Sequence, residues 1–334
     1  MTVKVIGKYP ILERKRSGLF SLDMAMAHED RVGIPLRGIH ELYGYTNSGK
    51  STLSYFLAGK LAKDYISICD LELADLDYIK TAVSKFNGTV KLTDLSDEKN
   101  KPYTHEKMLN NFVTDLFDNG QVGILDSVGA IIPVAEAEGD FGEAFMGKRA
   151  KLVSQVVNAL SSVLRSKEDP SVAFVINHVH NIIGGRGHVT AGGERLKYMA
   201  VSRTMLWTQA VYLLNDDDPH SVMGFHVSGK IEKLRYGGRG KDFGFYIVPG
   251  QGVHEGASAL MDCIAYGIAE SKAHVKLAGK SYGFLKAKLL RSAYEGETKA
   301  FEPFIEALHK NEKKILDGIW KRSKEEKDAN SDAE

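Results

Sequence analysis

The sequence predicts an α/β fold, a mostly parallel central sheet flanked by helices and followed by a small α-rich C-terminal lobe. Three observations predict it. From about residue 38, short apolar runs alternate with amphipathic stretches, as strands joined by crossover helices do. A glycine-rich turn ending in Gly-Lys-Ser sits between the first strand and the first helix of that alternation. After about residue 203 the alternation gives way to successive strand-like runs separated by turn residues.

The elements follow in order. GIHELYG (38 to 44) reads as a strand, and Leu53, Phe56, Leu57 and Leu61 then fall on one face of a helix over 50 to 63. ISICDLE (66 to 72) is a second buried strand, followed by a helix with Ile79, Ala82, Val83 and Phe86 on one stripe. TVKLTD (89 to 94) is a weaker third strand. A helix over 104 to 118 carries Met108, Leu109, Phe112 and Leu116, and Asn119-Gly120 closes it before the strand VGILDS. The segment 147 to 167 is amphipathic, stops before Asp169-Pro170, and feeds the strand SVAFVINH (171 to 178). Between 179 and 197 the glycines and the loss of periodicity indicate a mobile loop. TMLWTQAVYLL, GFHVSGKIEKL and DFGFYIV read as strands that close the sheet by antiparallel neighbours. From Ala257 the chain is helical again. The end, 323 to 334, has five acidic and two basic residues and almost nothing to bury, so it is expected to be a disordered tail.

Composition sets limits on this reading. The chain has 334 residues, 43% of them hydrophobic, with 44 Lys and Arg against 43 Asp and Glu. That length supports one large core with an appended lobe, and excludes a collagen, a disordered chain or a disulfide-stapled scaffold. Cys69 and Cys263 lie far apart in apolar stretches and read as reduced thiols. The N-terminus has no apolar segment of signal-peptide length and no run elsewhere suits a membrane span, so a cytoplasmic protein without a membrane partner is expected. With a formal charge of +1, binding to nucleic acid has to come from local basic patches.

The chemistry begins at Gly44-Tyr45-Thr46-Asn47-Ser48-Gly49-Lys50-Ser51, which fits G-x-x-x-x-G-K-[ST] at every fixed position, with Thr52 next in the helix. Its backbone N–H groups can close around phosphates, Lys50 brings a cation to the outer phosphates, and the Ser51 hydroxyl can ligate magnesium. The expected ligand is ATP with Mg2+. Asp126 ends the strand VGILDS and can hold that metal through water, although an aspartate there also suits a loop cap. Glu72, at the end of ISICDLE, falls beside the phosphate loop in a doubly wound sheet, where a carboxylate can orient water, and Asp70 competes for the role. His180 and His188 lack further clustered ligands, so a zinc site is rejected.

The run SGLFSLDMAMAHEDRVGIPLRGIHELYGYTNSGKSTL resembles the RecA/RadA recombinase family, a P-loop ATPase fold. AEAEGDFGEAFMGKRAKLVSQ (135 to 155) is similar to that family's first DNA-binding loop and its following helix, and AFVINHVH with TAGGERLKYMAVSR (190 to 203) to the strand and second DNA-binding loop. The resemblance spans roughly 17 to 256, which is read as the ATPase core. Residues 257 to 322 form the C-terminal lobe, and 1 to 16 an extended segment that docks on a neighbouring subunit. The resemblance implies that Lys50 and Ser51 bind phosphate and magnesium, that Asp126 supports the metal, that Glu72 is the catalytic glutamate and that Tyr78 stacks on adenine. His178 stands where the bacterial family has glutamine, as in phage recombinases of the UvsX type. It is expected to relay the state of the terminal phosphate to the second loop, while Lys233 and Arg235 reach a neighbour's ATP.

Lys148, Arg149 and Lys151 follow the first loop, and Arg186, Arg195, Lys197 and Arg203 lie in or after the second, which concentrates positive charge where single strands would bind. At the helix start, Lys148 and Arg149 also suit a solvated face. The resemblance thus implies an ATP-dependent protein that forms filaments on single-stranded DNA, pairs it with double-stranded DNA and exchanges strands, with mediator and single-strand-binding proteins as further partners. A recombinase paralogue acting as a mediator, or a hexameric helicase on the same core, are the alternatives.

Overall fold

The computed structural model describes residues 12–83, 85–93, 104–139, 147–181, 188–212, 222–235, 242–272, 274–281 and 286–331. Most of the docking segment expected over 1 to 16 lies outside them. Its described end does not point away from the core, because Arg14–Lys15 pairs antiparallel with Ile34–Pro35 of the same chain.

Among the described residues a ten-stranded sheet organises the core. Its order runs Gly252–Val253, Asp242–Val248, Val222–Leu234, Ser202–Tyr212, Gly38–Gly44, Val172–Asn181, Val122–Asp126, Tyr65–Asp70, Thr89–Thr93, with the short strand His188–Thr190 paired to the end of Val172–Asn181. The six from Ser202–Tyr212 to Thr89–Thr93 are parallel, and the last three of this sheet in sequence, together with His188–Thr190, pair antiparallel with their neighbours. Sequence reading closed the sheet with antiparallel neighbours at all three late strands; the first of them, Ser202–Tyr212, does pair antiparallel with Val222–Leu234 but joins the parallel core on its other side, beside Gly38–Gly44. The reason is the helix Glu194–Met199, a crossover too short to leave a periodic signal, which returns the chain to the starting end of the sheet. The stretch read as a loop over 179 to 197 therefore contains both a strand and a helix.

Helices cover both faces. Lys50–Leu61 buries Leu53, Phe56 and Leu57 against Leu42, Ile68 and Ile176 of the strands. On the opposite face His105–Asp118 and Lys148–Ser166 bring Phe112, Leu116, Val157 and Leu160 onto Ile39, Ala173 and Val175. Thr104 caps the first of these by accepting from the Lys107 N–H. Burying each such side chain contributes about 1.5–3 kcal/mol.

The C-terminal lobe shares a core with the sheet edge. Phe20 and Met24 of the helix Phe20–Ala25, with Tyr246 and Val248, pack against Leu260, Phe301 and Phe304. The lobe also contains a three-stranded antiparallel sheet, Ala269–Ser271, Val275–Leu277 and Lys280–Ser281, whose strands are too short for a sequence pattern. Its last helix, Glu302–Ser331, runs on through most of the stretch expected to be a disordered tail. Lys, Glu and Ala, which recur there, are good helix formers. No helix among the described residues is long and apolar enough to cross a membrane.

The register brings one set of strand ends together. Gly44 pairs with His178 and Asp70 with Asp126 at the carboxyl edge of the parallel strands. Ligands of open α/β sheets bind at this edge.

Candidate functional site

The turn from Gly44 to Gly49 joins strand Gly38–Gly44 to helix Lys50–Leu61. Its shape demands its glycines: a Cβ on Gly44 would run into the Leu206 carbonyl oxygen, and Gly49 has φ +82° with Ile247 Cδ1 3.0 Å from where a Cβ would stand. The helix begins with no side-chain cap and no acidic residue in its first turn, which leaves its first N–H groups for an anion. Thr208 Oγ1 donates to the Asn47 carbonyl at 3.0 Å and fixes the turn to the next strand. Lys50, almost wholly buried, donates to the Tyr45 carbonyl at 2.7 Å and lies 3.3 Å from Ser48 Oγ. Burial lowers its pKa, while Asp126 and Glu72 pull the other way.

Asp126 is 3% exposed, and burial pushes its carboxyl up to about 6, against a bond from Ser51 that lowers it. Its Oδ2 accepts from Tyr55 OH at 3.4 Å, and its Oδ1 is buried with no partner. An orphan carboxylate oxygen beside a serine hydroxyl at a phosphate turn fits a hard divalent cation with oxygen ligands. Together with the open helix start and Lys50, the residues fit ATP with magnesium.

Glu72 and Asp70 do different things. Asp70 accepts the Glu72 N–H at 2.9 Å and the Ala74 N–H at 2.5 Å, so its two oxygens build the turn in which Leu73 takes φ +59°. Glu72 instead extends into the site. His178 Nε2 lies 2.9 Å from Glu72 Oε1, and the Ser127 hydroxyl donates to the same oxygen. The His178 bond, then that from Ser127, hold Glu72 below the usual carboxylate range despite partial burial. Tyr78 sits in helix Leu76–Ala82 with its hydroxyl bonded to Thr52 Oγ1, next to the phosphate turn. The sequence-predicted Lys50, Ser51, Thr52, Glu72, Tyr78, Asp126 and His178 thus converge on one edge of the sheet.

The basic residues divide. Lys148 and Lys151 are exposed at the start of helix Lys148–Ser166, after Gly147 at φ +87°, and Arg149 pairs with Glu136 at 2.7 Å. Three cations and no acid at a helix N-terminus run against its dipole, so this cluster does not serve the helix itself. Arg195 Nε donates to Asn158 Oδ1 at 2.7 Å, and Lys197 pairs with Glu194 at 2.5 Å. Arg186 lies outside the described residues. Arg203 departs from its DNA-facing reading: its guanidinium bonds the fully buried Glu41 on the adjacent strand and lies 4.7 Å over the Tyr43 ring. A buried carboxylate requires such a partner. Lys233 Nζ donates to the carbonyls of Lys197 (2.5 Å) and Tyr198 (3.0 Å), and Arg235 donates to that of Tyr198 (2.6 Å), so both cations hold the C-terminal end of helix Glu194–Met199.

Sequence reasoning missed Ser127, Glu41 and Asn177. Asn177 Nδ2 donates to Glu41 Oε1 at 2.9 Å and to the Ala191 carbonyl at 3.0 Å. The available signal was a charge inside the apolar strand GIHELYG and an amide inside AFVINH, since polar groups buried in strands require partners.

The comparisons agree with this geometry. Residues 7–254 match the RecA N-terminal domain family. Protein RecA of Geobacter sulfurreducens is 31% identical over 262 residues, which are 76% of this chain and 72% of that protein. Protein RecA of Chloroherpeton thalassium is 29% identical over 327 residues, 95% of this chain and 85% of that protein. Protein RecA of Chlorobium chlorochromatii is 28% identical over 312 residues, 90% and 82% of the two chains. With a family match over most of its length, and a phosphate turn and a Glu72–His178 pair on a six-stranded parallel core, this chain belongs to the RecA family.

Proposed function

We propose that this protein is a DNA-dependent ATPase that assembles as a helical filament on single-stranded DNA, pairs it with homologous double-stranded DNA and exchanges strands. The observation that carries the reading is the Glu72–His178 pair, because it joins the carboxylate beside the phosphate turn to the strand that leads into the second basic segment. Magnesium-bound ATP supplies the phosphoanhydride bond and the terminal phosphate. The phosphate turn and the start of helix Lys50–Leu61 hold the phosphates, and Lys50 balances their charge. Ser51 and Asp126 hold the metal, and Tyr78 stacks on the base. Glu72 orients the attacking water. His178, released from Glu72, donates to the terminal phosphate and so reports its presence. Lys233 and Arg235 turn toward a neighbour's phosphates in the filament, where they offset developing negative charge. Lys148, Arg149, Lys151, Arg186, Arg195 and Lys197 contact the DNA backbone.

A D-loop assay tests this with single-stranded DNA, homologous supercoiled duplex, ATP and magnesium. Joint molecules that require all four components are expected. ATP and DNA binding without joint molecules would assign the protein to the mediators, and unwinding of a forked duplex in their place would assign it to the helicases.

A further inference from the structure

Glu41 is 0% exposed in the strand that ends at the phosphate turn, and Asn177 is 0% exposed in the neighbouring parallel strand. The pairing of Tyr43 with Asn177 sets both side chains on the same face of the sheet. Asn177 uses its whole amide. Its two N–H groups serve Glu41 Oε1 (2.9 Å) and the Ala191 carbonyl (3.0 Å), and its oxygen accepts the His178 N–H at 2.9 Å. Those partners belong to three functional segments: the phosphate-turn strand, the residue bonded to Glu72, and the chain just beyond the second basic loop. The amide cannot rotate without giving up all three bonds, of which the one to Glu41 is fully buried.

Glu41 is held in turn by Arg203, so the acceptor end of this arrangement is fixed. The other end of the arrangement is the Ala191 carbonyl. Gly192 and Gly193 follow with φ +83° and +74°, and a Cβ on Gly192 would stand 2.8 Å from Val128 and Val153 side-chain atoms. Val153 belongs to the helix that starts with Lys148, Arg149 and Lys151. Gly192 thus sits beside the helix of the first basic segment, on the chain that follows the second.

We infer that Asn177, clamped on Glu41, is a positioning residue that couples the nucleotide site to the DNA-binding segments. The inference rests on the function proposed above. When His178 leaves Glu72 for the terminal phosphate, the 177–178 peptide tilts, and the amide bonded to it shifts the Ala191 carbonyl. No bond is made or broken covalently in this step. Asn177 touches neither nucleotide nor DNA.

The test is the ratio of single-stranded DNA affinities measured with and without ATP, for the full-length protein and for Asn177→Ala. Wild type should bind more tightly with ATP. Asn177→Ala should lose most of that tightening, a fall of about fivefold or more in the ratio, with ATP affinity within about twofold of wild type. Asn177→Asp should behave alike, because it keeps the volume and the bond from the His178 N–H but presents an oxygen to Ala191 and Glu41. A purely structural role would instead lower the melting temperature and weaken both ligands in parallel. Full ATP tightening in either variant overturns the clamp and leaves the recombinase reading intact, whereas absence of tightening in the wild type overturns both. A measurement on the unmodified protein covers variants that fail to fold: hydrogen exchange across 188–193 should slow when ATP is added without DNA. Exchange there that ignores ATP overturns the inference.

Discussion

Asp126→Asn is the most informative single change, because it should strengthen the fold while disabling the site. Burial raises the aspartate carboxyl to about 6, and the carboxylates of Glu72 and Asp70 add to that rise. A carboxyl whose pKa is higher in the folded than in the unfolded chain destabilises the fold once it ionises, so its cost appears as pH rises through the interval from about 4 to about 6 and is complete above it. The displacement corresponds to about 3 kcal/mol at pH 8 and about half of that at pH 5. Asparagine has the same shape, keeps an acceptor toward Tyr55, and carries no charge to neutralise. The variant should therefore be more stable than wild type in urea titrations of nucleotide-free protein at pH 8, by an amount approaching that figure, with the advantage shrinking toward pH 5. Magnesium and ATP together should raise the wild-type midpoint and leave that of the variant nearly unmoved, since the metal loses its ionised ligand. A variant less stable than wild type at pH 8, or an advantage that does not change with pH, would refute the electrostatic argument.

Glu72→Gln should retain ATP binding and lose most ATP hydrolysis, whereas Asp70→Asn should lower stability by about 1–3 kcal/mol through the turn it bonds and affect hydrolysis only secondarily; steady-state turnover and urea midpoints separate the two. Lys197→Ala should reduce the slope of DNA affinity against salt by about one, while Arg203→Ala should leave that slope unchanged and destabilise the protein by about 3–5 kcal/mol by stranding Glu41. Lys233→Ala combined with Arg235→Ala should abolish DNA-stimulated hydrolysis, and mixing that protein with Glu72→Gln subunits should restore part of it, because each partner supplies what the other lacks across the interface. Mixed filaments that form on DNA yet stay inactive would count against catalysis between subunits.

The sequence revealed most of the site because local rules encode it. The phosphate turn announces itself through spaced glycines, and Asp126 at the end of its strand, Glu72 just past Asp70 and His178 opposite Gly44 are brought to one edge by the parallel order. What stayed hidden depends on neighbours distant in sequence. Nothing in residues 200 to 206 distinguishes an arginine facing DNA from one paired with a glutamate 162 positions earlier, since the pairing follows from Ser202–Tyr212 lying parallel to Gly38–Gly44. That direction was itself obscured by the brevity of Glu194–Met199. The choice between Asp70 and Glu72 was likewise open until the backbone N–H groups around Asp70 were accounted for.

From Glu72 onward the polar groups at this edge form one short sequence of hydrogen bonds. Asp126 and Lys50 face the phosphate turn, Glu72 meets His178, the His178 N–H meets Asn177, and Asn177 meets Ala191. Asp126, Glu72, Asn177 and His178 lie on or just beyond parallel strands, and the helices on both faces pack through apolar contacts that leave little room for rearrangement. A change at the nucleotide site therefore has few compliant directions. It can move the strand-end side chains, which exchange hydrogen bonds at modest net cost, or it can disrupt the core, which costs far more. The glycines at 192 and 193 add compliance where the polar contacts end, beside the basic segments. On the function proposed above, coupling between ATP and DNA follows from where the fold is stiff: the apolar layers confine motion to the carboxyl edge of the sheet, and the residues proposed to bind the two ligands meet there.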